Sequence, residues 1–95
     1  MTKSLILNFL QQNKEMIKTK YQVKQIGLFG SYVKGLETDE SDIDILVDMP
    51  SSFDNYYDLK EFLESSLQKR VDLGLIGTVR EHLKEKILSE VEYVR

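Results

Sequence analysis

Asp42 and Asp44 stand one residue apart at the head of the most apolar run in the chain, "DIDILVD". Alternate side chains of an extended segment share a face, so the two carboxylates lie on one side of a strand, about 6–7 Å apart at Cα. Asp72, in "RVDLGLI", likewise faces away from its apolar neighbours. If these two strands pair, three carboxylates converge. Two such charges about 4 Å apart repel by about 4 kcal/mol at an effective dielectric of 20. A cluster of this kind persists if it is protonated, widely solvated, or filled by a divalent cation. The chain has no cysteine and a single histidine. Hard oxygen donors of this sort select Mg²⁺ or Mn²⁺ over zinc. Mg²⁺ held by one or two carboxylates completes its shell with water and substrate phosphates.

Gly30-Ser31, upstream of this cluster, supplies a partner for such phosphates. A glycine that closes a strand and opens a short helical turn lets backbone N–H groups approach an anion closely. Ser31 adds a hydroxyl donor or caps the turn. Lys34, one turn on, either reaches the same anion or stays a solvated charge. Ser41 is a candidate both for orienting the loop ahead of Asp42 and for contacting the phosphate-bearing ligand. The stretch "GSYVKG" lacks the Walker A pattern, and the acidic run lacks EF-hand spacing.

These residues need a frame. Helical spacing of Leu5, Ile6, Phe9, Leu10, Met16 and Ile17 predicts a helix over 3–20. A strand is expected over 24–30, a short helical turn over 31–35, and a polar loop over 36–41. The clearest strand covers 42–48: Ile43, Ile45 and Val47 share one face, and Asp42, Asp44, Leu46 and Asp48 the other. Pro50, the only proline, stops it. A helix over 55–68, a third strand over 70–76 and a last helix over 79–92 complete the order. The expected fold is α/β: one small mixed sheet of about three strands flanked by helices.

Ninety-five residues suit one domain, 1–95, with a core and one site and little room for a separate recognition domain. The absence of cysteine fits an intracellular, cytoplasmic protein. No run approaches a membrane span and no leader is expected. The net charge of -3 is unevenly spread. Residues 1–34 carry six lysines against one glutamate, and the remainder is acidic. No stripe of arginine with interleaved aromatics appears, so direct nucleic-acid binding is not expected.

Gly30-Ser31, ten residues, then Asp42-x-Asp44 resembles the signature of the DNA polymerase β-like nucleotidyltransferases. With the later "VDL" and the closing "LKEKILSEVEYV", the chain resembles the minimal nucleotidyltransferases, antitoxins paired with HEPN-domain toxins. The resemblance runs from about Lys24 onward. It implies a polymerase β-like core, with Asp42, Asp44 and Asp72 binding two Mg²⁺ ions. Asp72 also helps to deprotonate the incoming hydroxyl. Gly30 and Ser31 hold the β- and γ-phosphates of ATP. The implied activity is transfer of AMP to a hydroxyl, that of tyrosine, on a HEPN toxin within a hetero-oligomer. One departure is Val33-Lys34, where the family often has Ala-Arg; lysine keeps the charge and loses the guanidinium fork. The alternative is an antitoxin that neutralises by docking alone, its acidic site vestigial. An enzyme acting on a small molecule, of the aminoglycoside-modifying kind, fits the short chain less well.

Several polar or aromatic residues have plainer readings. Asp48 serves solubility, His82 lies on the surface, and the lysines of the first helix form its wet face. Tyr56 and Tyr57 are expected to pack rather than stack on a base.

Overall fold

The structure is a computed structural model that describes residues 1–94. Helix α1 (Lys3–Gln12) starts where the Thr2 hydroxyl accepts the Leu5 N–H at 3.2 Å, an N-cap bond. Helix α2 (Lys14–Tyr21) follows after a break at Asn13. The single helix expected over 3–20 is therefore two. The Asn13 side chain donates to the Phe9 carbonyl at 2.9 Å, and its backbone N–H goes to the same oxygen. Asparagine competes for local backbone partners in this way, which ends the regular ladder.

Strand β1 (Gln25–Phe29) leads into the short helix α3 (Ser31–Lys34), and β2 (Ile43–Asp48) follows the polar loop. Helix α4 (Phe53–Leu67) begins at Ser52, whose hydroxyl accepts from the Asn55 N–H. It carries the chain across to β3 (Val71–Leu75). A 3-10 turn (Ile76–Thr78), helix α5 (Glu81–Glu90) and strand β4 (Glu92–Tyr93) complete the described chain.

The sheet order is β3-β2-β1-β4. Strands β2 and β3 are parallel, as a helical crossover requires, and the other neighbours are antiparallel. The mixed sheet matches the sequence reading, with four strands in place of about three. The last helix, expected over 79–92, ends instead at Glu90, and Glu92 and Tyr93 form the added strand. They do so because the outer edge of β1 offers unpaired backbone groups. Glu92 and Tyr93 take register with Leu28 and Gly27, and the Val94 N–H donates to Ile26 O at 2.9 Å. Val91, Tyr93 and Val94 are residues that suit a pleated edge. Lys3 pairs with Glu92 at 3.0 Å and ties the segment to α1.

One face of the sheet is the core. Ile43, Ile45 and Val47 of β2 lie beside Ile26 and Leu28 of β1 and Val71 and Leu73 of β3. Ile6 and Leu10 of α1, Ile17 and Tyr21 of α2, and Leu59, Leu63 and Leu67 of α4 cover them. The opposite face carries Asp44 and Asp72. Leu46 on that face is nevertheless buried, set between Gly27 and Gly74 on the neighbouring strands. A Cβ on Gly27 would collide with Val91 and Tyr93, so the C-terminal segment closes tightly over this part of the sheet. The acidic end is left more open.

Candidate active site

A single row of register positions builds the site: Phe29 on β1, Asp44 on β2, Asp72 on β3. Parallel neighbours are about 4.8 Å apart, so Asp44 and Asp72 stand side by side on one face. The Asp44 carboxyl is pushed up from 3.8 to about 6. Burial is the main cause, followed by the charges of Asp72 and Asp42 and a hydrogen bond with Asp72.

Gly30 sits one residue beyond Phe29 with φ 75° and ψ -146°. Only glycine holds such a backbone without strain. A Cβ there would also run into the Asp44 carboxylate. Gly30 takes the cap position of α3, and its carbonyl accepts the N–H groups of Val33 and Lys34, both at 3.1 Å. Ser31 is therefore the first helical residue rather than the cap. Gly35, also at positive φ, ends the turn through its N–H to Ser31 O. The glycine pair thus bends the chain back directly beside Asp44.

The other expected residues divide. Asp42 lies just ahead of β2, and its carboxylate accepts from Arg70 Nε at 3.4 Å. Ser41 is built into the preceding turn: its hydroxyl accepts the Thr38 N–H at 2.8 Å, and its own N–H donates to Thr38 O at 3.0 Å. This is the loop-orienting role among its two candidate roles. Lys34 reaches Glu90 at the end of α5, at 3.4 Å. The charges of both Asp72 and Asp42 act on Asp44, so the three carboxylates are near neighbours. Among the described residues, no group of three or more Asp, Glu, His or Cys is arranged to hold a metal ion. Asp44 and Asp72 are paired, while Asp42 is engaged by Arg70. Repulsion among three like charges favours this arrangement. The donor set still fits a hard cation: all its atoms are carboxylate oxygens, and a divalent charge would offset the mutual repulsion of Asp44 and Asp72.

The sequence matches the family model described as the nucleotidyltransferase domain over residues 10–94. The chain belongs to the nucleotidyltransferase family. A Methanocaldococcus jannaschii chain named "Putative protein adenylyltransferase MJ1379" is 41% identical, with 98% of each chain covered. The protein adenylyltransferase MntA of Thermococcus cleftensis is 37% identical, covering 94% of this chain and 92% of its own. A chain in a toxin–antitoxin crystal structure with AMP-PNP superposes with a TM-score of 0.71 at 24% identity, covering 90% of this chain and 72% of that one. A chain in the complex of a tri-AMPylated Shewanella oneidensis HEPN toxin with its MNT antitoxin gives 0.65 at 20% identity, covering 94% and 71%. At these identities the structural likeness establishes the fold.

The nucleotidyltransferase also has neighbours that the sequence reading passed over. Lys60, Glu64 and Arg70 join Asp42, Val71 and Asp72 around an open cleft of about 290 Å³ on the β3 side of the carboxylates. The signals were present: Lys60 and Glu64 are four apart on α4, and Arg70 precedes Asp72 by two, hence shares its face. Nothing local, however, told which side of α4 would meet β3. The plainer readings fare well. His82 is exposed, and Tyr56 packs, its hydroxyl donating to Leu73 O at 2.7 Å. Tyr57 differs, being half exposed and in contact with the exposed Phe53 ring, centroids 4.7 Å apart. No helix among the described residues is long and apolar enough to cross a membrane.

Proposed function

We propose that this nucleotidyltransferase transfers AMP from ATP to a tyrosine hydroxyl of a HEPN-domain toxin and is that toxin's antitoxin. The observation that carries the reading is the abutment of the Gly30 turn on Asp44, with Asp72 next in register. A bend that accepts an anion is thereby joined to a carboxylate pair that accepts a cation or a proton. The protein adenylyltransferase relatives and the toxin–antitoxin complexes support the choice of AMP and of a toxin acceptor. The Shewanella toxin is tri-AMPylated, so the reading extends to repeated transfer.

Each residue then has a task. Gly30 and Ser31 bind the β- and γ-phosphates through backbone N–H groups and the Ser31 hydroxyl. Lys34 adds charge to the same phosphates once it leaves Glu90, and Ser41 holds the loop that presents Asp42. Asp42, Asp44 and Asp72 would hold Mg²⁺, two ions by the family resemblance, which would offset the triphosphate charge and supply Lewis-acid stabilisation to the transfer. Asp72 accepts the hydroxyl proton, the hydroxyl oxygen bonds to the α-phosphorus, and the bond to the β-phosphate oxygen breaks, releasing pyrophosphate. In this reading residues 1–95 act as one cytoplasmic unit within a hetero-oligomer, without direct nucleic-acid contact.

The test is label transfer. The protein, a HEPN partner and Mg²⁺ are incubated with ATP labelled at the α- or the γ-phosphate, beside the Asp42→Asn/Asp44→Asn variant. Label from the α-position only, lost in the variant, is expected. Label from the γ-position means phosphoryl transfer and defeats the assignment. Neutralisation of the toxin without any label means that the protein acts by docking alone.

A further inference from the structure

Asp42 hangs on a segment that the core does not hold. From Gly35 to Asp42 no residue is buried, and Leu36, the one large apolar side chain there, is 70% exposed. The segment binds itself instead. The Thr38 N–H donates to the Ser41 hydroxyl at 2.8 Å, the Ser41 N–H to Thr38 O at 3.0 Å, and the Glu40 N–H to the Thr38 hydroxyl at 3.3 Å. These bonds close a turn without fixing it to the rest of the fold. Two residues just ahead of β3 supply that link. Lys69 Nζ donates to Asp39 O at 2.7 Å, thirty residues back in the chain. Arg70 O accepts the Ile43 N–H at 2.9 Å, and its Nε lies 3.4 Å from the Asp42 carboxylate. The two cations are not equivalent. Lys69 is partly buried and makes no ion pair among the described residues, although Glu37, Asp39, Glu40 and Asp42 all belong to the same segment. Its ammonium takes a backbone carbonyl, which cannot swing away as a carboxylate can. The Arg70 side chain is 84% exposed, and its long contact to Asp42 is weak. Lys69 holds the backbone ahead of Asp42, and Arg70 competes for the carboxylate.

We propose that Lys69 is a positioning residue for Asp42. Its bond to Asp39 O pins the turn, so that the Asp42 carboxylate, on leaving Arg70, meets a divalent cation together with Asp44 and Asp72. The inference rests on the transfer reading above and deepens it, naming the residue that presents the first carboxylate. Lys69 acts through the backbone and not through its charge. That distinction has a sign. A positive charge near a carboxylate site opposes a dication, so by its field alone the loss of Lys69 should tighten cation binding. Positioning predicts the reverse. A released turn lets Asp42 point elsewhere, and ordering it again for the cation costs conformational entropy.

Two measurements on the protein alone test this, and neither needs transfer. In the first, Mn²⁺ is titrated and free ion is read by electron paramagnetic resonance. Lys69→Met keeps the stem and removes the donor. Its Mn²⁺ affinity should fall about tenfold, the loss of one charge-assisted hydrogen bond, and Lys69→Arg should recover most of it. Arg70→Met should move the other way, tightening binding about twofold by freeing Asp42. In an Asp42→Asn background Lys69→Met should add nothing, because both substitutions remove the same contribution. In the second, backbone order parameters are measured by NMR in metal-free protein. Over residues 38–42 they should drop from about 0.85 in the wild type toward about 0.6 in Lys69→Met, while those of β2 hold. Unchanged or tighter Mn²⁺ binding in Lys69→Met overturns the proposal. So does an equal loss in Arg70→Met, a loss that persists on top of Asp42→Asn, or a turn that stays rigid without the lysine. A wild type that binds no Mn²⁺ defeats the metal reading itself, and the proposal with it.

Discussion

The two faces of β2 alternate residue by residue, yet they are built to opposite ends. Ile43, Ile45 and Val47 are all 0% exposed and join the core beneath α1, α2 and α4. Asp44, between two of them, has a carboxyl pushed up to about 6 by burial and by like charges. One face lowers the free energy of the fold, and the other raises it. Active sites commonly carry such local destabilisation, because a group that the fold leaves unsatisfied is ready for a ligand. Leu46 shows that the cost is confined: on the same face as Asp44, it is buried again between two glycines.

Substitutions that cross the two faces should separate stability from activity. The largest effect is expected for Asp42→Asn with Asp44→Asn. Removing cation ligands worth several kcal/mol to the transition state should cut nucleotidyl transfer by on the order of a thousandfold, measured with labelled ATP. The fold should survive. Ile45→Ala should do the reverse kind of damage, lowering stability by about 2–5 kcal/mol in urea unfolding, with activity falling only as folded protein is lost. If Ile45→Ala left stability unchanged, the assignment of that face as core would be wrong.

Gly30→Ala tests the seam between the faces. Positive φ and the nearness of Asp44 should together cost about 1–3 kcal/mol, read from the shift in urea midpoint, and abolish triphosphate binding. Asp44→Asn alone should stabilise the protein in chelator at pH 7, by about 1 kcal/mol after allowing for solvent screening. The sign follows from the raised pKa. The folded state holds the Asp44 proton up to about pH 6, whereas the unfolded state releases it near 3.8. Wild-type stability therefore falls across that window, and the advantage of the variant should appear there, hold above it and vanish below it. A pH-independent difference would refute the account of Asp44. The smallest effect belongs to Glu90→Gln. Freeing Lys34 from a half-exposed ion pair should tighten ATP binding about twofold, since such pairs are weak.

Much of the site was legible without coordinates because its determinants are local. Period-two alternation set Asp42, Asp44 and Asp72 opposite their apolar neighbours, and the glycine of the Gly-Ser pair marked a turn that tolerates no side chain. The spacing of these motifs was enough to indicate the family. The break at Asn13 was less legible, because apolar spacing continues through it while a side-chain bond to Phe9 interrupts the ladder. Strand β4 was hidden because two residues become a strand only when an open edge is waiting for them.

The sequence by itself determined which residues carry charge, which faces are apolar and where the chain must turn, since all three follow from side-chain chemistry and backbone sterics over a few residues. Only the tertiary structure decided the partners. Register set Asp44 beside Asp72, α4 delivered Lys60 to the same cleft, and Arg70 and Glu90 engaged Asp42 and Lys34. Such pairings depend on how distant segments dock, and no local preference encodes the distance between them.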